Sequence, residues 1–359
     1  ESPDGDLNRG FPHAIGDGQT SNWLCVNRGK KDITLNLKSP KALELLDALV
    51  AKMDVVIQSF LPDTAEKLGV GYDRLRNLNP DLIYCSVSGY GAKGPLRNKA
   101  GYDAMVAAYS GVFGLTGEAD RPPVRPGVAA IDMSTGMLAY GGVVSALLAR
   151  ERGAGGQRVD VSLLESGVSL LSYHGVAWTA GGVRPEREGA GFSTISPYGV
   201  YRARNGDILI GAPSQPMWLK ACGVLNAPEL ADDPRYASNV ERCRHDDDLR
   251  KDLESRLASD DVDTWIGRFE AAGVANAPMN TLEQVFQDEQ VLANDMVVPA
   301  KRPDGTTVDL LGLPFKLSGT PGTPGDAPPE TGQHNESVFA EFLGLSAADV
   351  KALKDDGAI

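Results

Sequence analysis

The sequence predicts an α/β protein built around a parallel sheet, with a second, smaller α+β domain. Three observations carry this. Residues 33–87 run strand, helix, strand, helices, strand, an order that lays parallel strands side by side with helices on their faces. The character of the chain changes to short strands and helices between residues 197 and 278. A length of 359 residues exceeds one comfortable core.

The elements follow in order. Residues 33–37 alternate apolar and polar and read as a strand. Ser39-Pro40 opens a helix, with Pro at its first position and Leu43, Leu45, Leu46 and Leu49 forming an apolar face. Residues 55–57 are a short buried strand; helices at 63–68 and 72–78 and a strand at 82–87 come next. The stretch 88–125 is glycine-rich with a helical segment at 102–112. A long helix at 132–150, a strand at 158–162 and a helix from Leu163 complete a large domain, 1–180. A linker at 181–191 leads into the small domain, which ends at 285; strands such as 207–210 and helices near Trp218, Asp247 and Asp263 belong to it. Pro and Gly are dense over 314–329, and two terminal helices, 336–343 and 347–353, lie in a segment, 286–359, that returns to the large domain. The first thirty residues read as loop and begin Glu1-Ser2-Pro3 rather than with Met, so the natural N-terminus is expected to lie further upstream.

Composition narrows the function classes. A formal net charge of −13 disfavours nucleic acid and anionic membrane surfaces as partners, and leaves a polyanionic ligand only through a local basic pocket. Cys25, Cys85, Cys222 and Cys243 are far apart, with no CxxC pair and no zinc spacing; they read as reduced thiols of a cytosolic protein. No apolar run approaches the roughly 18 residues that a membrane helix needs, and no signal peptide is visible.

Gly89-Tyr90-Gly91-Ala92-Lys93-Gly94 has the dinucleotide-binding pattern after a strand, but Pro95 follows and no amphipathic helix opens to receive a pyrophosphate. A glycine-rich loop at the end of a strand still suits some ligand. Asp132 stands where the long helix begins. Capping that helix accounts for it; so does nucleophilic chemistry, since helix N–H groups keep a carboxylate ionised and able to attack an activated carbonyl. His13, His174, His245 and His334 are isolated and no G-x-S-x-G occurs, which leaves a hydrolase triad unsupported; His174 reads as a core or interface residue. Asn27-Arg28-Gly29-Lys30-Lys31 is a basic cluster that serves either as a solvated turn or as a phosphate receiver.

Together these segments resemble the family III CoA-transferases over essentially the whole chain. The carriers, in order, are Val26-Asn27-Arg28-Gly29-Lys30-Lys31-Asp32-Ile33, Pro80-Asp81-Leu82-Ile83-Tyr84-Cys85-Ser86, Gly89-Tyr90-Gly91 with Gly94-Pro95, Ala100-Gly101-Tyr102-Asp103, Arg125-Pro126-Gly127-Val128 before Asp132, and residues 155–165. The resemblance implies a Rossmann-like large domain, an interlocked homodimer, and coenzyme A thioesters as substrates with no permanently bound cofactor and no metal. It also implies that Asp132 is the nucleophile, that Leu35, Asn36, Leu37, Lys38, Ser59, Phe60, Lys67, Ala100 and Tyr102 contact CoA, and that the first βα unit, carrying part of the CoA site, precedes Glu1. Ser59, Lys67 and Ala100 stand where the formyl-CoA type has Asn, Arg and Lys, and Gly189-Ala190-Gly191 is the nearest segment to that type's tetraglycine loop. Arg28 and residues 125–128 resemble the branch acting on dicarboxylates such as succinate and glutarate, where Arg28 would meet the second carboxylate. An α-methylacyl-CoA racemase shares the fold but pairs its Asp with a His in Gly-His-Asp; here the segment is Gly101-Tyr102-Asp103. A CoA-binding protein without catalysis is the other alternative. The compartment expected is the cytoplasm, with the mitochondrial matrix left open by the missing N-terminus.

Overall fold

The computed structural model describes residues 1–10 and 19–359, so His13 lies outside the described residues. It divides into two compact units, one made of Glu1–Ser110, Val128–Leu170 and Phe286–Ile359, the other of Gly111–Gly127 and Leu171–Val285. Residues 111–127 and 171–180, assigned from sequence to the large domain, thus sit in the second unit.

In the first unit α1 (Ser21–Asn27) corrects the expectation of thirty residues of loop: Thr20 Oγ1 accepts from the Trp23 N–H at 3.2 Å, and Trp23 and Leu24 are buried. Seven residues with two inward side chains give too little periodicity to read. The strand expected at 33–37 is also absent. The segment pairs with single partners instead of a ladder: the Leu35 and Asn36 N–H groups donate to Glu1 O (2.8 Å) and Ala358 O (2.9 Å), and Thr34 N–H donates to the Asn335 side chain at 2.9 Å. Next come α2 (Pro40–Val50), β1 (Val55–Gln58), α3 (Pro62–Lys67), α4 (Tyr72–Leu78), β2 (Ile83–Ser88), α5 (Asp103–Tyr109), α6 (Ala130–Ala149), β3 (Gln157–Ser162) and α7 (Leu163–Leu170).

The strands form a parallel sheet in the order β1-β2-β3, with Val55 opposite Ile83 and Ile83 opposite Gln157. Alternation along β2 sorts its two faces. Leu82 and Tyr84 pack with Val50 and Leu75 from α2 and α4, and the Tyr84 hydroxyl donates to Val70 O at 2.8 Å. Ile83 and Cys85 pack with Ala139, Val143 and Ala146 of α6. Gly142 permits that approach, since a Cβ there would lie 2.8 Å from Val159 Cγ1. One expectation is overturned here: α6 with the turn after it is long and apolar enough to cross a membrane by length and composition. Its apolar residues are interspersed with Gly, Ser and Thr rather than gathered in one run, and one stripe of the helix packs on the sheet.

The unit closes with the antiparallel pair β7 (Val297–Lys301) and β8 (Thr307–Leu311) and the helices Asn335–Leu343 and Ala347–Asp355; Val338, Phe339 and Val350 pack with Leu49 of α2. In the second unit, helix α8 (Ser172–Gly181) precedes an antiparallel sheet ordered β4 (Tyr198–Arg202), β5 (Asp207–Gly211), β6 (Ala275–Pro278). Helices over Gln215–Val224, Asp246–Leu257 and Val262–Ala272 build its core around Trp218, Leu253, Trp265 and Phe269.

Candidate active site

Parallel strands direct their carboxyl ends to one edge, and ligands of open α/β sheets bind there. Helix α6 precedes β3 and runs back along the sheet, so its N-terminus lies at that edge. The segment after β2 arrives there too. Gly89 and Gly101 meet backbone to backbone: a Cβ on Gly89 would lie 2.8 Å from Gly101 N, and one on Gly101 would lie 2.9 Å from Gly89 Cα. No helix opens after Gly94. The first glycine of the sequence pattern therefore packs the Gly101-Tyr102-Asp103 segment against the sheet edge.

Tyr102 is the N-cap of α5 and 74% exposed, and Asp103 begins the helix behind it, buried. Asp103 Oδ2 accepts the N–H of Ile131 at 2.9 Å and of Asp132 at 3.2 Å. This corrects the capping role considered for Asp132. The helix starts two residues earlier than its apolar pattern suggested, its N-cap is Ala129, and Asp132 lies inside the first turn. Asp103 supplies the acceptor that Ala129 lacks. Among the described residues, the Asp132 carboxylate accepts no hydrogen bond. Asp132 is accessible at the surface, yet the protein around it strips enough hydration to raise its pKa above the usual carboxylate value, and the Asp103 charge raises it further. The site thus offers a carboxylate that accepts no hydrogen bond from the described residues and has raised basicity, on a turn capped by the residue that follows the exposed Tyr102.

A second feature of the same unit is a cavity of about 950 Å³ bordered by Leu35, Asn36, Leu37, Lys38, Gln58 and Phe60. Asn36 organises its rim: its side-chain oxygen accepts from the Lys38 N–H at 3.2 Å, and its amide donates to Gly357 O at 3.1 Å. Gln58, the last residue of β1, accepts from the Phe60 N–H at 2.7 Å and donates to Ser86 Oγ at 2.9 Å, which fixes the Ser59-Phe60 turn. Five of the nine residues implied as CoA contacts therefore border one cavity. Ser59, Lys67, Ala100 and Tyr102 do not line it; all four are exposed, Lys67 as the last residue of α3 and Tyr102 beside Asp103. Arg28 is half-buried and outside this cavity. Its guanidinium donates to the backbone oxygens of Leu311 and Gly325, and burial lowers its pKa. Gly189-Ala190-Gly191 belongs to the second unit.

The sequence reading gave no site role to three participants: Asp103, named only as part of a motif, Gln58 and Gly357. Asp103 had a signal, because two alanines precede Asp132 where a long helix needs a capping acceptor. Gln58 had only its place at a strand end. Gly357 had none, since its role comes from the tail folding back on Asn36.

The sequence and the fold both have known relatives. The sequence model described as CoA-transferase family III matches residues 1–335. An acyl-CoA transferase of Fusarium pseudograminearum is 38% identical over 95% of this chain and 75% of its own length. The succinyl-CoA:glutarate CoA-transferase of Mus musculus is 34% identical over 99% of this chain and 81% of its own. The crystal structure of a CAIB/BAIF family protein from Brucella suis superposes with a TM-score of 0.85 at 33% identity, covering 95% of this chain and 90% of that one. With its parallel sheet, its motifs in order and these matches across nearly the whole sequence, the chain belongs to CoA-transferase family III.

Proposed function

We propose that Asp132 is the nucleophile that carries CoA from an acyl-CoA donor to a carboxylic acid, and that dicarboxylic acids of the succinate and glutarate type are the substrates. The observation that carries the first part is the Asp132 carboxylate itself, accessible, free of hydrogen bonds to described residues and of raised pKa. The named activity of the mouse relative supports the second.

The exchange balances without any gain or loss of protons or electrons. An Asp132 oxygen adds to the thioester carbonyl carbon. The C–S bond breaks, its electron pair leaves with sulfur, and an acyl-aspartyl anhydride and CoA thiolate result. The thiolate adds to the aspartyl carbonyl and the donor carboxylate departs, leaving an aspartyl-CoA thioester. An acceptor carboxylate repeats the two steps in reverse and restores Asp132. Two modest barriers replace one large one. Leu35, Asn36, Leu37, Lys38 and Phe60 would hold the nucleotide end of CoA along their cavity, with Ser59 at the Gln58-held turn and Lys67 as a phosphate partner. Tyr102 and Ala100 would flank the thioester, and Arg28 would meet the distal carboxylate.

The enzyme would work as an interlocked homodimer. On α6, Met133, Met137, Tyr140, Val144 and Leu148 recur at helical spacing and are 44–64% exposed, an apolar stripe that a second copy would cover.

Incubation with succinyl-CoA, trapping with hydroxylamine or borohydride, and peptide mass spectrometry test the mechanism. The expected result is a modification on Asp132 that vanishes in Asp132→Ala. An Asp132 left unmodified by a panel of acyl-CoAs, together with exchange of α-protons into solvent, would transfer the case to the racemase.

A further inference from the structure

The first turn of α6 has no N–H group left over. Ala130 N–H donates to Val128 O at 2.8 Å, Met133 N–H to Ala129 O at 3.0 Å, and the Ile131 and Asp132 N–H groups both donate to Asp103 Oδ2. An aspartate in a first turn ordinarily takes such N–H groups itself, which stabilises its charge and blunts it as a nucleophile. Here a different carboxylate has taken them. Asp103 is 8% exposed, and α5 is held by the Gly89–Gly101 backbone contact and by buried Val106 and Ala107.

We propose that Asp103 is a positioning residue for Asp132: it closes the N-terminus of α6 from outside, orients the Asp132 backbone, and leaves the Asp132 carboxylate unstabilised and directed at the thioester. The proposal rests on the reading of Asp132 as the nucleophile. Asp103 makes no bond to substrate. Its effect is differential, because two neighbouring carboxylates repel each other in the resting enzyme and that repulsion is relieved as Asp132 becomes a neutral acyl group. The other charged groups on the packed elements are engaged elsewhere. Glu165 of α7 accepts from Ser162 Oγ at 2.5 Å, Arg158 and Asp160 of β3 pair with each other, and Arg150 lies at the far end of α6 bonded to Asp54. Lys99, before α5, sits over the Tyr90 and Tyr109 rings.

Two variants separate charge from geometry. Asp103→Asn keeps an oxygen for both N–H groups and removes the charge; Asp103→Ala removes both. Two readouts apply: the single-turnover rate of Asp132 acylation across pH, and the pH midpoint of Asp132 modification by a water-soluble carbodiimide, read by peptide mass spectrometry. In Asp103→Asn the midpoint should fall and the acylation plateau should drop about tenfold, with KM for acyl-CoA little changed. Asp103→Ala should lose about a hundredfold in acylation. An Asn variant with the wild-type midpoint and rate overturns the proposal, whether or not the Ala variant folds. If wild-type Asp132 is never acylated, the nucleophile reading fails on its own, and the carbodiimide midpoints still decide whether Asp103 governs Asp132.

Discussion

In the unit that contains residues 171–285, Trp218, Tyr236, Leu249, Leu257 and Phe269 are all fully buried, and the helix Asp246–Leu257 presents Leu249, Leu253 and Leu257 inward with Asp, Arg and Lys elsewhere on its surface. Helix α6 of the other unit is built differently. Ile131, Thr135, Ala139, Val143 and Ala146 are buried on one stripe, while Met133, Met137 and Tyr140 on another are more than half exposed. A one-sided helix is completed by its own unit. A helix apolar on every side is not, and the uncovered stripe calls for a further surface. The first design secures stability locally; the second leaves an apolar stripe uncovered on the helix that carries Asp132.

The largest effects expected from this contrast are on stability in the closed core. Phe269→Ala should cost about 3–5 kcal/mol in urea unfolding, because a fully buried ring leaves a cavity among Trp265 and its neighbours. A loss below about 1 kcal/mol would mean the core collapses readily and is less closed than its burial indicates. Arg242 is the next. It is fully buried, has no carboxylate partner among the described residues, and donates to Ser196 O (2.6 Å), Gln215 Oε1 (2.8 Å) and Tyr236 O (3.0 Å) while lying over the Trp218 ring. Burial lowers its pKa. Arg242→Met would strand three acceptors and should cost about 2–4 kcal/mol by the same assay. An unchanged midpoint would show that those acceptors find other donors.

The opposite signature is expected on α6. Met137→Glu places a charge in the exposed stripe, so it should move thermal stability of the separated chain by no more than about 0.5 kcal/mol while shifting sedimentation from dimer toward monomer. Association as tight as in the wild type would remove the stripe from the interface.

How much of this was legible in the sequence follows the same division. Helix Tyr72–Leu78 and the strand Asp207–Gly211 were readable to within a residue or two because one buried face sets their apolar period, and Ile83–Ser88 because it is a short, nearly continuous run buried on both faces. Residues 33–37 alternate like a strand yet pair with Glu1, Asn335 and Ala358, partners that are distant in sequence or lie outside any ladder. The start of α6 was misplaced because its cap is not local: the acceptor comes from Asp103, 28 residues before Ile131. Asp132 itself was readable as a candidate, but its surroundings were not: its pKa is raised first by lost hydration and then by the Asp103 charge, and the N–H groups of its turn are taken by that distant carboxylate.

The smallest effect expected concerns the Asp132 carboxylate. Its folded-state pKa is raised, first by lost hydration and then by Asp103. The folded protein therefore binds this proton more tightly than the unfolded chain does. The stabilising contribution is fully present below the unfolded pKa and is lost as pH rises through the folded one, so ionised Asp132 is a cost to the fold at neutral pH. Asp132→Asn removes the charge while keeping shape and polarity. It should abolish acylation, yet melt on the order of 1 °C higher than the wild type at pH 7. That gain should disappear in acid, once the wild-type carboxyl is itself protonated. Melting curves at both pH values decide the point. A variant that is less stable at neutral pH would mean that the Asp132 charge helps hold the first turn of α6, and the contrast between a self-sufficient core and a functional helix that bears a destabilising charge would have to be redrawn around that turn.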